Sequence, residues 1–86
     1  MTMLKLIEEL QNDREARNVR PTYVPIRILF SAAIIRFGSA FPSHLELYKL
    51  VLTGVVNEHD TIQGDAFSIA GTEIKYNAEY GELSND

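Results

Sequence analysis

Pro25-Ile26-Arg27-Ile28-Leu29-Phe30-Ser31-Ala32-Ala33-Ile34-Ile35-Arg36-Phe37-Gly38 is the stretch on which the fold turns. Between Ile26 and Phe37 only Arg27, Ser31 and Arg36 are polar, so the segment reads as a core element covered on most of its circumference. Two structures compete for it. The β-branched residues between Tyr23 and Phe30 favour a central strand. Ala32 and Ala33 carry the apolar run past strand length, Pro25 suits the first turn of a helix, and Gly38 supplies a stop. The balance predicts a helix over Ile26 to Phe37. Interrupted by two arginines, the run falls short of the roughly twenty apolar residues that a membrane span needs.

Working toward the N-terminus, Pro21 pushes Arg20 out of the α region, so Val19 to Val24 is expected to run as an extended connector or a very short strand. Asn18 is a plausible stop for an earlier helix. That helix covers Thr2 to about Arg17: Met3, Leu6, Ile7 and Leu10 recur at spacings of three and four, with Glu8, Glu9, Gln11, Asn12 and Asp13 facing away. Toward the C-terminus, 38–42 forms a turn, and Ser43-His44-Leu45-Glu46 matches the capping box that starts a helix. Leu45, Leu47, Tyr48, Val51 and Leu52 give its apolar stripe, His44, Glu46 and Lys49 its polar face, and Gly54 ends it.

Beyond Gly54 the period changes to two. Val55 opens a strand, Phe67 and Ile69 alternate around Ser68, and Ile74 and Tyr76 alternate around Lys75, with Gly64-Asp65 and Ala70-Gly71-Thr72 as turns. The fold class is therefore α+β, three helices followed by a small antiparallel β-hairpin or three-stranded sheet. Residues 1–79 form one domain, and 80–86 read as a frayed acidic tail. With 86 residues the chain has room for one small core, and the absence of Cys removes disulfides, thiolate zinc sites and a cysteine nucleophile together.

This order of elements resembles that of winged helix-turn-helix domains over about Leu4 to Ala70. The resemblance makes Ile26 to Phe37 the supporting helix, Ser43 to Thr53 the recognition helix, and His59 to Asp65 the wing loop. It implies duplex DNA binding as the commonest use and docking onto proteins as the second.

Charge chooses between those uses. Eight Lys and Arg against twelve Asp and Glu give a net charge of -4, the reverse of the basic excess that phosphate binding needs. The recognition-helix face offers His44, Glu46 and Lys49, and the wing offers Glu58, His59, Asp60 and Asp65, whose carboxylates would be repelled by phosphates. Charge is also polarised: residues 1 to 43 hold six basic and four acidic side chains, net +2, and residues 44 to 86 hold two basic and eight acidic, net -6. Arg14, Arg17, Arg20 and Arg27 make a candidate patch for an anion or an acidic partner.

Sites for chemistry are sparse. His44 and His59 lack a zinc-binding spacing, and Asp60 to Gly64 lacks the repeated oxygen ligands of a calcium loop. No phosphate-cradling glycine motif or nucleophile elbow occurs. Phe30, Phe37, Tyr48 and Phe67 fall on predicted core faces, Phe41 staples the third helix, and Tyr23, Tyr76 and Tyr80 are interface candidates. Glu8 and Glu9 leave no room for a secretory signal, so a cytoplasmic protein is expected. The function expected is a small, non-catalytic protein–protein interaction module without cofactor or metal, of a brevity suited to a phage or mobile element. Its partner is a protein, self-association as a homodimer is left open, no membrane is involved, and the alternative is a winged-helix regulator on duplex DNA.

Overall fold

The computed structural model describes residues 2–39 and 41–76, side chains excepted at 41–43. In chain order it contains α1 (Met3–Ala16), β1 (Val24–Pro25), α2 (Ile26–Phe37), α3 (Phe41–Leu52), β2 (Val56–Thr61) and β3 (Gly64–Ile69). The strands form one antiparallel sheet in the order β1-β3-β2. The fold is α+β, and the arrangement is compatible with a winged-helix-like domain. The expected tail at 80–86 and the candidate Tyr80 lie outside the described residues, as do the side chains of Phe41 and Ser43.

Local chemistry sets the helix ends. Thr2 caps α1, its hydroxyl accepting from the Lys5 N–H at 3.2 Å. At the other end Asn18 takes a left-handed φ of 61°, which lets the Val19 N–H reach the Arg14 carbonyl at 2.8 Å and the Asn18 N–H reach that of Glu15. Gly54, at φ 79°, closes α3 the same way, with Val55 N–H on the Leu50 carbonyl. The third helix starts at Phe41, so Ser43 lies within its first turn rather than ahead of it.

Met3, Leu6 and Ile7 of α1, Val24 of β1, Leu29 and Ala33 of α2, Leu47 of α3, and Val56 and Phe67 of the hairpin make the core. Leu29 and Ala33 are the buried residues of α2. The expectation that this helix is covered on most of its circumference is corrected: Ile28, Ile34 and Ile35 are exposed, Ile35 at 81%. The helix packs against α1 and the sheet on one side, and a domain this small has no further layer to place on the other. Tyr48, expected in the core, is 62% exposed.

The sheet also departs from the sequence reading. Its third strand is β1, paired Val24 to Phe67, and not Ile74 to Tyr76. The latter segment runs back over the molecule and is tied to Thr22, whose N–H donates to the Lys75 carbonyl and whose hydroxyl accepts from the Lys75 N–H at 3.0 Å. The span from His59 to Asp65 is not a loop. Its flanks are strand, paired Asp60 to Asp65 and Thr61 to Gly64, and Ile62-Gln63 alone form the turn. Thr61 closes that turn by donating to the Gly64 carbonyl and accepting from the Gln63 N–H.

Buried polar groups hold the layers together. Gln11, expected to face solvent, is buried; its carbonyl accepts from the Ile69 N–H at 2.9 Å and its amide donates to the Thr72 hydroxyl. One side chain thus satisfies the edge of β3 from α1.

Candidate functional site

Helix α3 carries two apolar stripes. At about 100° per residue, Leu47, Leu50 and Val51 share one face, and Leu45, Tyr48 and Leu52 share another. The first stripe packs inward. The second is exposed, Leu52 at 67%.

Between α3 and the hairpin this exposed stripe borders a groove of about 340 Å³. Buried Leu47 and Phe67 and half-buried Ile26 and Val51 form its base, and Tyr48 and Leu52 rise beside it. Glu58 and Asp65 stand on its hairpin side and His44 at its helix side. The register explains the carboxylates. Glu58 pairs with Phe67 and Asp60 with Asp65, so Glu58, Asp60 and Asp65 share the sheet face that Val56 and Phe67 bury farther along. Asp60 and Asp65 are like charges directly opposite each other, an arrangement that costs stability. None of the three has an ion pair among the described residues.

The recognition-face residues read from sequence separate here. His44 and Lys49 are exposed, and the His44 ring lies 5.5 Å from that of Phe30. Glu46 is half-buried and turned to α1, where its carboxylate accepts from the Met3 N–H at 3.1 Å, so it is not part of an outward face. Position 46 sits about 160° around the helix from Tyr48, which sets the two side chains on nearly opposite sides.

The four arginines have separate surroundings. Arg14 is half-buried and donates from Nε and Nη2 to the Pro21 carbonyl at 3.3 and 2.9 Å, fixing the connector; burial lowers its pKa, opposed by Tyr23. Arg17 is exposed and pairs with Asp13 at 3.2 Å. Arg20, half-buried, donates to the Val19 carbonyl. Arg27, in the first turn of α2, is exposed and has no partner among the described residues.

His59 was expected in a surface loop. It lies in β2, half-buried, with its ring stacked 5.2 Å from Tyr23 and Nε2 2.8 Å from the Ser68 hydroxyl. Desolvation lowers its pKa below the usual value, which favours the neutral ring. Tyr23, an interface candidate, is buried in this cluster with Tyr76 edge-on at 6.3 Å. Burial and Tyr76 raise its hydroxyl pKa.

The groove was missed by sequence reasoning, although a signal for it exists. Leu45, Leu47, Tyr48, Leu50, Val51 and Leu52 are more apolar residues than one buried stripe of a twelve-residue helix uses. Among the described residues no three His, Cys, Asp or Glu side chains are grouped to hold a metal ion, and no helix is long and apolar enough to cross a membrane. No protein-family model matches the chain, and neither a curated protein nor a solved structure matches it.

Proposed function

We propose that this protein is a non-catalytic interaction module that docks a protein partner on the face formed by α3 and the β2–β3 hairpin. The observation that carries the reading is the exposed stripe of Leu45, Tyr48 and Leu52 beside an apolar groove edged by Glu58 and Asp65. Aromatic and aliphatic anchors beside a preformed recess are what protein interfaces use, whereas base edges are read by Arg, Lys, Asn or Gln. In a winged-helix arrangement the same helix and wing would approach the duplex. Here they would bring leucines to the bases and carboxylates to the phosphates, which disfavours the regulator reading.

Site-specific photo-crosslinking in the native host tests the proposal. A benzoylphenylalanine placed at Tyr48 is expected to give discrete protein adducts, and one at Asn57, exposed on the opposite sheet face, is expected to give none. Adducts at both positions alike, or nucleic acid alone at Tyr48, would overturn it.

A further inference from the structure

The α3 groove is not the only uncovered apolar surface. On α2, Ile28 and Ile35 lie two turns apart on one side, with Ile34 and Arg27 beside them, all exposed. Ile26, which lines the groove, lies on the inward side of the same helix. The two surfaces are therefore distinct, and each leaves large aliphatic side chains in water without cover.

Their charges are opposite. Among the described residues Arg27 has no ion-pair partner beside the isoleucines of α2, and neither have Glu58, Asp60 and Asp65 at the hairpin beside the groove. A contact of the groove with its own copy would leave the exposed α2 isoleucines in water. A symmetric contact of α2 with α2 would set Arg27 against Arg27. The unlike pairing brings Arg27 to the carboxylates while covering both apolar surfaces.

We infer that the occupant of the α3–hairpin groove is the α2 face of a second copy of this chain. The inference rests on the docking reading above and names its partner. Ile28 and Ile35 enter beside Tyr48 and Leu52, and Arg27 meets Glu58 and Asp65, relieving the Asp60–Asp65 repulsion on the hairpin. Because both surfaces lie on every copy, the pairing either closes reciprocally as a two-fold dimer or runs head-to-tail. A head-to-tail contact continues past two, into a ring or an open chain.

Sedimentation velocity of the full chain from about 1 to 200 μM in about 0.15 M salt tests this. The weight-average mass is expected to rise beyond that of a monomer. Ile35→Asp and Leu52→Asp, both at exposed positions, are each expected to sediment as folded monomers by circular dichroism. Mixed in equal amounts, they are expected to form a heterodimer that grows no further, since one intact surface of each remains. Arg27→Glu should weaken assembly at least about tenfold, and Glu58→Lys in the same chain should restore part of it. A wild type monomeric at the highest concentration, or a mixture that stays monomeric, would each overturn the inference. Discrete adducts to other proteins from position 48 alongside a monomeric wild type would leave the docking reading standing and remove self-assembly alone.

Discussion

Glu46 of α3 accepts a hydrogen bond from the backbone N–H of Met3 in the first turn of α1, 3.1 Å away and 43 positions earlier in the chain. An otherwise unpaired N–H at a helix start is thereby met by an anion, the sign that the helix dipole favours there. Glu46→Ala is expected to lower stability by about 1 to 2 kcal/mol, and Glu46→Gln by less because its amide oxygen still accepts. Urea melts measure both. A Glu46→Ala protein as stable as wild type would show that the contact contributes nothing.

The two sides of α2 should respond differently to truncation. Leu29 is fully buried, so Leu29→Ala is expected to cost about 2 to 5 kcal/mol through lost transfer energy and a cavity. Ile35 is exposed, and Ile35→Ala measured on monomeric protein should change stability by no more than about 0.5 kcal/mol. Similar losses at the two positions would mean that the helix is rotated from the orientation described.

Arg14 and Arg17, one turn apart, divide in the same manner. Arg14→Ala removes both donors from the Pro21 carbonyl and should cost about 1 to 3 kcal/mol. Arg17→Ala breaks only an exposed pair with Asp13 and should cost about 0.5 kcal/mol or less. Chemical denaturation of both variants at one salt concentration checks the contrast, and equal losses would contradict it.

His59 makes stability depend on pH. Its pKa in the folded protein is lowered by burial, so as pH falls the unfolded chain takes up a proton first, near pH 6.5. The contribution of the neutral ring is fully present above about pH 6.5 and is lost as pH drops from there through the folded value. Between about pH 7.5 and pH 5.5 wild type should therefore lose more stability than His59→Gln. Parallel pH profiles for the two would show that the ring is freely hydrated.

Helix order was legible because its signals are local. Asn18, Gly38 and Gly54 each act on backbone groups within a few residues, and all three sit at helix ends in the structure. Facing was not legible where a helix is apolar on more than one side. Ile28, Ile34 and Ile35 resemble Leu29 in sequence, and only the position of α1 and the sheet decides which is buried. On α3 the choice between two apolar stripes depends on the hairpin in the same way. The roles of Gln11 and Glu46 depend on partners 58 and 43 positions distant, beyond any periodicity. His59 and Asp60 read as loop because they are polar, yet a two-residue turn at Ile62-Gln63 extends both strands to the tip.

The central claim is that the face of α3 and the hairpin receives protein and not a duplex. Fluorescence anisotropy of a labelled mixed-sequence duplex in about 0.15 M salt tests it most directly, since nonspecific binding by DNA-binding proteins falls at roughly 10⁻⁴ to 10⁻⁶ M under such conditions. No change in anisotropy is expected up to about 200 μM protein, in keeping with the net charge of -4 and the carboxylates of Glu58, Asp60 and Asp65. Micromolar or tighter binding, abolished by Arg17→Ala together with Arg20→Ala, would contradict the account and assign the domain to duplex recognition.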